Sequence, residues 1–154
     1  MYKDTVTVFN RYYSKQLNTA TWYPHVLKNV DFNADKAANI EKTGLENADA
    51  AKLHVRYNVK DGIDKIGELQ YLPPKQWEEQ TNDMYEKTIT FQEGIDFFML
   101  GEFPESPISD NAPQYNTGTL SGFEDYMNRK YDDVYSITSV GKYSIIPHFE
   151  IGGA

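Results

Sequence analysis

The chain is predicted to be mainly β: a small barrel or rolled antiparallel sheet of about six to eight strands, with one short helix in its C-terminal half and long loops. Three observations point there. Short segments alternate apolar and polar residues, with turn residues between them. Twelve tyrosines and eight phenylalanines are many for 154 residues, and aromatic side chains favour half-buried pleated surfaces. Finally, residues 134–151 read as a hairpin close to the C-terminal end.

Thr5–Tyr13 (TVTVFNRYY) alternates, with Val6 and Val8 on one face and Thr5, Thr7 and Phe9 on the other. Asn18 and Thr19 supply a turn, and Thr21–Val30 reads as a second strand, completing an N-terminal hairpin. Pro24 lacks an N–H, which makes that strand an edge or bulges it there. Asp31–Ala51 is polar, with Ala34–Lys42 able to form two helical turns inside a long surface loop. Lys52–Val59 is a strand with Leu53, Val55 and Tyr57 facing one way and His54, Arg56 and Asn58 the other. Asp61-Gly62 is a turn dipeptide.

Pro73-Pro74 precedes a short helix over Lys75–Gln80, with Pro74 at its first turn. Lys87–Phe91 and Ile95–Leu100 bracket Gln92-Glu93-Gly94 as a hairpin. Glu102–Gly118 carries prolines and no periodicity, so it and Asp31–Ala51 are expected to be mobile in an isolated subunit and ordered against neighbours. Ser121 with Glu124 forms a capping box for a helix to Tyr131, which places Phe123, Tyr126 and Met127 on one face. Val134–Val140 and Tyr143–Ile151 then pair through a two-residue type II′ turn at Gly141-Lys142, Gly141 supplying the positive φ.

At 154 residues the chain is a single domain, 1–154. A net charge of −8 opposes nucleic-acid binding through phosphate neutralisation. The absence of cysteine excludes disulfides, thiolate catalysis and cysteine-ligated zinc. The polar opening Met1–Thr5 does not read as a signal peptide, and no stretch reaches the ~20 apolar residues of a membrane span. His25, His54 and His148 are far apart in sequence; two could meet across a sheet and bind a metal, but satisfied surface or core histidines are the default. Glu78-Glu79 and Asp132-Asp133 are adjacent pairs whose side chains diverge, and Trp22 and Trp77 read as core. Gly118-Thr-Leu-Ser-Gly122 is not a nucleophile elbow, since its serine stands one place late and no strand precedes it. Residue chemistry thus gives an acidic β-rich domain with no catalytic, cofactor or metal site, and a non-enzyme is expected.

TVTVFNRYY followed by TWYPHVLKNVDF resembles the opening of small proteins of tailed bacteriophages and prophages, and the likeness continues through AKLHVRY, LPPKQW, DYMNRKYDDVYSITSV and PHFEIGG. It is weakest across Asp31–Ala50 and Glu102–Gly118. The family resembled is that of minor capsid or head–tail connector (head-completion, stopper-like) proteins. The resemblance implies a virion structural subunit, assembled in the bacterial cytoplasm as a homo-oligomeric ring under the portal. Its partners would be portal or adaptor and tail-completion proteins, with genomic DNA passing through unbound and no membrane or cofactor involved. A tail terminator ring or a non-viral soluble β-rich binding module are the alternatives. For a ring subunit, the C-terminal hairpin and the edge around Pro24 are the docking elements expected, with Tyr135, Ile137, Tyr143 and Phe149 as anchors. The same four side chains could equally fill the barrel core.

Overall fold

The structure is a computed structural model that describes residues 2–34 and 50–154. In chain order its strands are β1 (Asp4–Ser14), β2 (Thr19–Ala34), β3 (Ala51–Arg56), β4 (Asn58–Lys60), β5 (Ile63–Ile66) and β6 (Leu69–Tyr71), followed by helix α1 (Pro74–Glu78). Then come β7 (Thr88–Ile89), β8 (Phe97–Leu100), β9 (Ile108–Ser109), helix α2 (Phe123–Lys130), β10 (Val134–Tyr143) and β11 (His148–Gly153). The order β1-β8-β10-β11-β3-β2, with β2 also pairing β1, closes a six-stranded antiparallel barrel. β9 adds to the free side of β2, and β4-β5-β6-β7 form a second, smaller sheet.

Period-two alternation sorts the barrel side chains into two cores. Val6, Val8, Leu27, Leu53, Val55, Phe98, Ile137, Phe149 and Ile151 point inward and fill the barrel. The alternate residues Phe9, Trp22, Phe97 and Met99 point outward and are covered by Phe123 and Met127 of α2. Ile66, Ile89 and Phe91, from the smaller sheet and the chain after it, join the inner core. Trp77 of α1 and Tyr85 pack on Tyr23, and Tyr85 also on Tyr12.

The N-terminal hairpin, the facing of Leu53, Val55 and Tyr57, and the Asp61-Gly62 turn match expectation; both turn residues have positive φ (55° and 77°), as a two-residue hairpin turn demands. Pro24 lies where β2 pairs β1 alone, and the irregularity of β2 falls instead at Asn29, whose φ is 58°. Asp31–Ala34 extend β2 and pair with β3, while the helical turns expected over 34–42 lie largely outside the described residues.

Three expectations are corrected. Lys87–Phe91 and Ile95–Leu100 do not form a hairpin: β7 runs parallel to β6, while β8 inserts between β1 and β10. Asp96 enforces the separation by tying Gln92 to β1. The C-terminal turn is Ser144–Pro147, not Gly141-Lys142, and Gly141 sits within β10 opposite Glu150. A turn at Gly141-Lys142 would set Pro147, which has no N–H, opposite Ser136 inside the ladder; the observed register moves it into the turn. Lastly, α2 has no capping box. Gly122 is its N-cap at φ 105°, and Asp110 accepts the Phe123 N–H while Glu124 accepts from the Ser136 hydroxyl.

The segment Glu102–Gly118 is anchored on the barrel despite lacking periodicity. Phe103 packs edge-on against Phe9 and Phe123, Tyr115 packs on Phe123, and β9 pairs with β2.

Candidate functional site

Antiparallel alternation makes β1, β3 and β10 run in the same direction. The chain therefore leaves all three at the same end of the barrel, into the turn after β1, the β4–β5 hairpin and the β10–β11 turn. Large apolar side chains stand in water on all three: Leu17 is 74% exposed, Val59 58%, Ile145 97% and Ile146 75%. Single exposed apolar residues are ordinary, but grouping on projecting turns marks a contact surface.

His148 fixes the larger turn. Its Nδ1 lies 2.6 Å from the Ile146 carbonyl oxygen and its Nε2 2.9 Å from the Glu150 carboxylate. Both partners accept, so only the doubly protonated imidazolium satisfies both. The Glu150 contact, then the Ile146 carbonyl, hold His148 above the ordinary histidine value, and Glu150 is drawn below its own. Tyr143 stacks on His148 at 5.0 Å and 14°. Gly141 makes room for that stack, since a Cβ there would meet the Tyr143 ring at 3.0 Å.

Across the outer face, Gly141, Glu150, His54 and Asp31 stand in register on four neighbouring strands. His54 Nδ1 is 3.7 Å from the Asp31 carboxylate, and the His54 and His148 rings are 6.1 Å apart, so two histidines do meet across the sheet. A groove of about 260 Å³ opens here beside Lys52, His54, Tyr143 and Glu150. Among the described residues, no group of three or more His, Asp or Glu is placed to hold a metal ion. The face offers cationic, acidic and aromatic groups on a stiff sheet, which is chemistry suited to recognition.

A larger groove, about 720 Å³, runs along the open side of β2. Val26, Leu69, Phe103 and Pro104 contribute apolar surface; Glu68, Glu86, Glu102 and Glu105 contribute carboxylates. Glu105 accepts the Val26 N–H, capping part of an edge that has no strand partner among the described residues.

Of the expected docking residues, Tyr143 is on the surface, 49% exposed. Tyr135, Ile137 and Phe149 take the core role that alternation equally allowed, and Pro24 is buried opposite Phe9. The sequence reading missed two features. Ile145-Ile146 stand in a turn and not within a strand, and the following Pro147 is the signal for it. Asp96 is fully buried and shares the inward phase of apolar neighbours, which is the signal that could have found it; His25, also buried, takes the core role. Asp96 accepts four hydrogen bonds, from Asn10 Nδ2, Arg11 N, Gln92 N and Gln92 Nε2. Burial lifts it to about 7 against the pull of those donors, and burial lowers His25 to about 4.

No curated protein and no solved structure matches this chain. One family model does, over residues 1–154. The chain belongs to that family, a family of unknown function designated DUF6751.

Proposed function

We propose that this chain is a structural subunit of the tailed-phage neck: a head–tail connector of the head-completion (stopper) type, or a minor capsid subunit, joining the portal to the tail. The observation that carries the reading is a stiff, filled barrel that displays Leu17, Ile145 and Ile146 on turns at one end. Such turns suit insertion into neighbouring subunits, since apolar side chains on rigid supports lose little entropy on docking. Because side chains fill the barrel, a DNA passage has to run between subunits, which calls for a ring. The net charge of −8 favours a lumen that DNA slides past without binding. Portal or adaptor and tail-completion proteins are the partners this reading assigns, and the virion is the location.

The test is deletion of the gene from an inducible prophage, followed by electron microscopy of the lysate. The expected result is heads and tails that fail to join. Normal tailed particles would remove the reading, and filled heads with overlong tails would move it to a tail terminator.

A further inference from the structure

We propose that the β10–β11 turn is a proton-operated latch: protonated His148 holds Ile145 and Ile146 in their raised position, and neutral His148 releases them. The latch is a property of the single chain, so it stands or falls apart from the neck reading.

One residue pins both ends of the turn. The Tyr57 hydroxyl donates to the Tyr143 carbonyl at 2.9 Å, and the Tyr57 N–H donates to the Pro147 carbonyl at 3.3 Å. Between these pins Ile145 is 97% exposed, so packing does little to fix it. The 2.6 Å contact from His148 Nδ1 to the Ile146 carbonyl reaches the middle of the turn. The ring itself has little freedom, because Tyr143 stacks on it and Nε2 is tied to Glu150.

Loss of one proton leaves a single N–H between two acceptors. A hydrogen bond to a carboxylate is stronger than one to a neutral carbonyl, so the remaining proton stays on Nε2, facing Glu150. The Nδ1 lone pair then meets the Ile146 oxygen at a separation that only a hydrogen bond tolerates. With the ring held in its stack, it is the turn that moves.

Charged groups on the neighbouring strands bear on this proton. Arg56 of β3 stands opposite His148, its guanidinium 3.7 Å over the Tyr2 ring, and His54 and Lys52 follow on the same face of that strand. These cations oppose protonation. Glu150 favours it directly and Asp31 of β2 through His54, while β10 presents the neutral phenol of Tyr143 and pairs Lys142 with Asp64. The carboxylate in contact prevails and holds His148 above 6.5. The latch is therefore fully closed below about 6.5 and opens as pH rises through the folded value. A partner that docks on the two isoleucines then has a mobile turn to order, which weakens binding on the alkaline side.

The test is NMR on the full chain from about pH 5 to about pH 9, observing the His148 ring nitrogens together with the Ile145 and Ile146 methyl groups. The expected result is a His148 midpoint above 6.5, a neutral ring protonated at Nε2, and isoleucine shifts that follow the His148 curve. Glu150→Gln should lower that midpoint and carry the isoleucine curve with it. His148→Gln should abolish the curve with an unchanged circular dichroism spectrum. Four outcomes overturn the latch: a midpoint at or below 6.5, a neutral ring protonated at Nδ1, a midpoint that Glu150→Gln does not move, and isoleucine shifts that track His54 or survive in His148→Gln. If His148→Gln does not fold, Glu150→Gln decides. An isoleucine curve that stays behind when the His148 midpoint moves rejects the latch, and one that moves with it upholds it.

Discussion

Asp96 is fully buried, held by four N–H donors and joining β1 to the segment that precedes β8. Its value of about 7 lies above that of an unfolded aspartate, so the folded state holds the proton more tightly than the unfolded chain. The stability it contributes is therefore complete below about pH 4 and is lost as pH rises through about 7. Asp96→Asn removes this titration while placing an amide N–H₂ against donors. The variant should be less stable overall, and its deficit against the native chain should shrink between pH 4 and 7, by at most about 4 kcal/mol. Urea melts of both proteins across that range check it; a constant deficit rejects the titration. His25 has the opposite sign: buried and lowered to about 4, it costs stability as pH falls from 6.5 towards 4, in native and variant alike. Asp110 is a second single residue with two duties, accepting from Trp22 Nε1 and from the Phe123 N–H at 2.9 Å each. Asp110→Ala leaves both donors unpaired and should lower stability by about 2–4 kcal/mol, measured by chemical denaturation. A loss under about 0.5 kcal/mol, the scale of an ordinary surface change, would mean water replaces it.

At the level of elements, what was legible in the sequence is what period two and turn chemistry write locally. β1 and β3 carry clear alternation, as does β2 up to its irregularity at Asn29, and Asp61-Gly62 carries its turn type in its residue identities. What was not legible depends on partners remote in the chain. Thr88–Ile89 and Phe97–Leu100 look like two arms of a hairpin, yet one pairs with β6 and the other is claimed by β1 and β10. Phe103 and Tyr115 show no periodicity, and only the outward face of the barrel explains their anchoring. The C-terminal register was hidden because Gly141 offers a turn residue that the strand uses for another purpose, room for the Tyr143 ring. The alternation of Tyr135, Ile137 and Phe149 was compatible with either core or contact, and closure of the barrel decides for core. Gly153, at the end of β11, is needed for packing. A Cβ there would come within 2.8 Å of both Phe98 and Tyr135 inside the barrel. Gly153→Ala should therefore cost about 1–3 kcal/mol by overpacking, although alanine is the better strand residue locally. A thermal melt at or above the native value would mean that β11 shifts to absorb the methyl group.

For the whole molecule, the division between filled interior and displayed surface decides where partners can bind. The barrel leaves no lumen, so contact surfaces are outside, on the projecting turns and the face that carries Tyr143. Tyr135 and Tyr143 lie on the same strand, on opposite sides of that division. Tyr135 packs on Phe98 and Phe32, and its hydroxyl donates to Asp133. Tyr143 lays its ring on His148 and leaves half of its surface in water. Truncating Tyr135 opens a cavity that a closed barrel cannot collapse, so Tyr135→Ala should lose about 3 kcal/mol and lower the melting temperature outright. Tyr143→Ala removes a stack at the surface and should change stability by no more than about 1 kcal/mol. If the proposed docking role holds, that second variant remains a folded monomer and fails to enter the particle in a complementation assay with the gene-deleted prophage. A Tyr143→Ala protein that folds and complements normally takes Tyr143 out of the interface. Loss of folding in that variant would instead show that the stack on His148 supports the hairpin as a whole, and the contact would then be sought at Ile145 and Ile146.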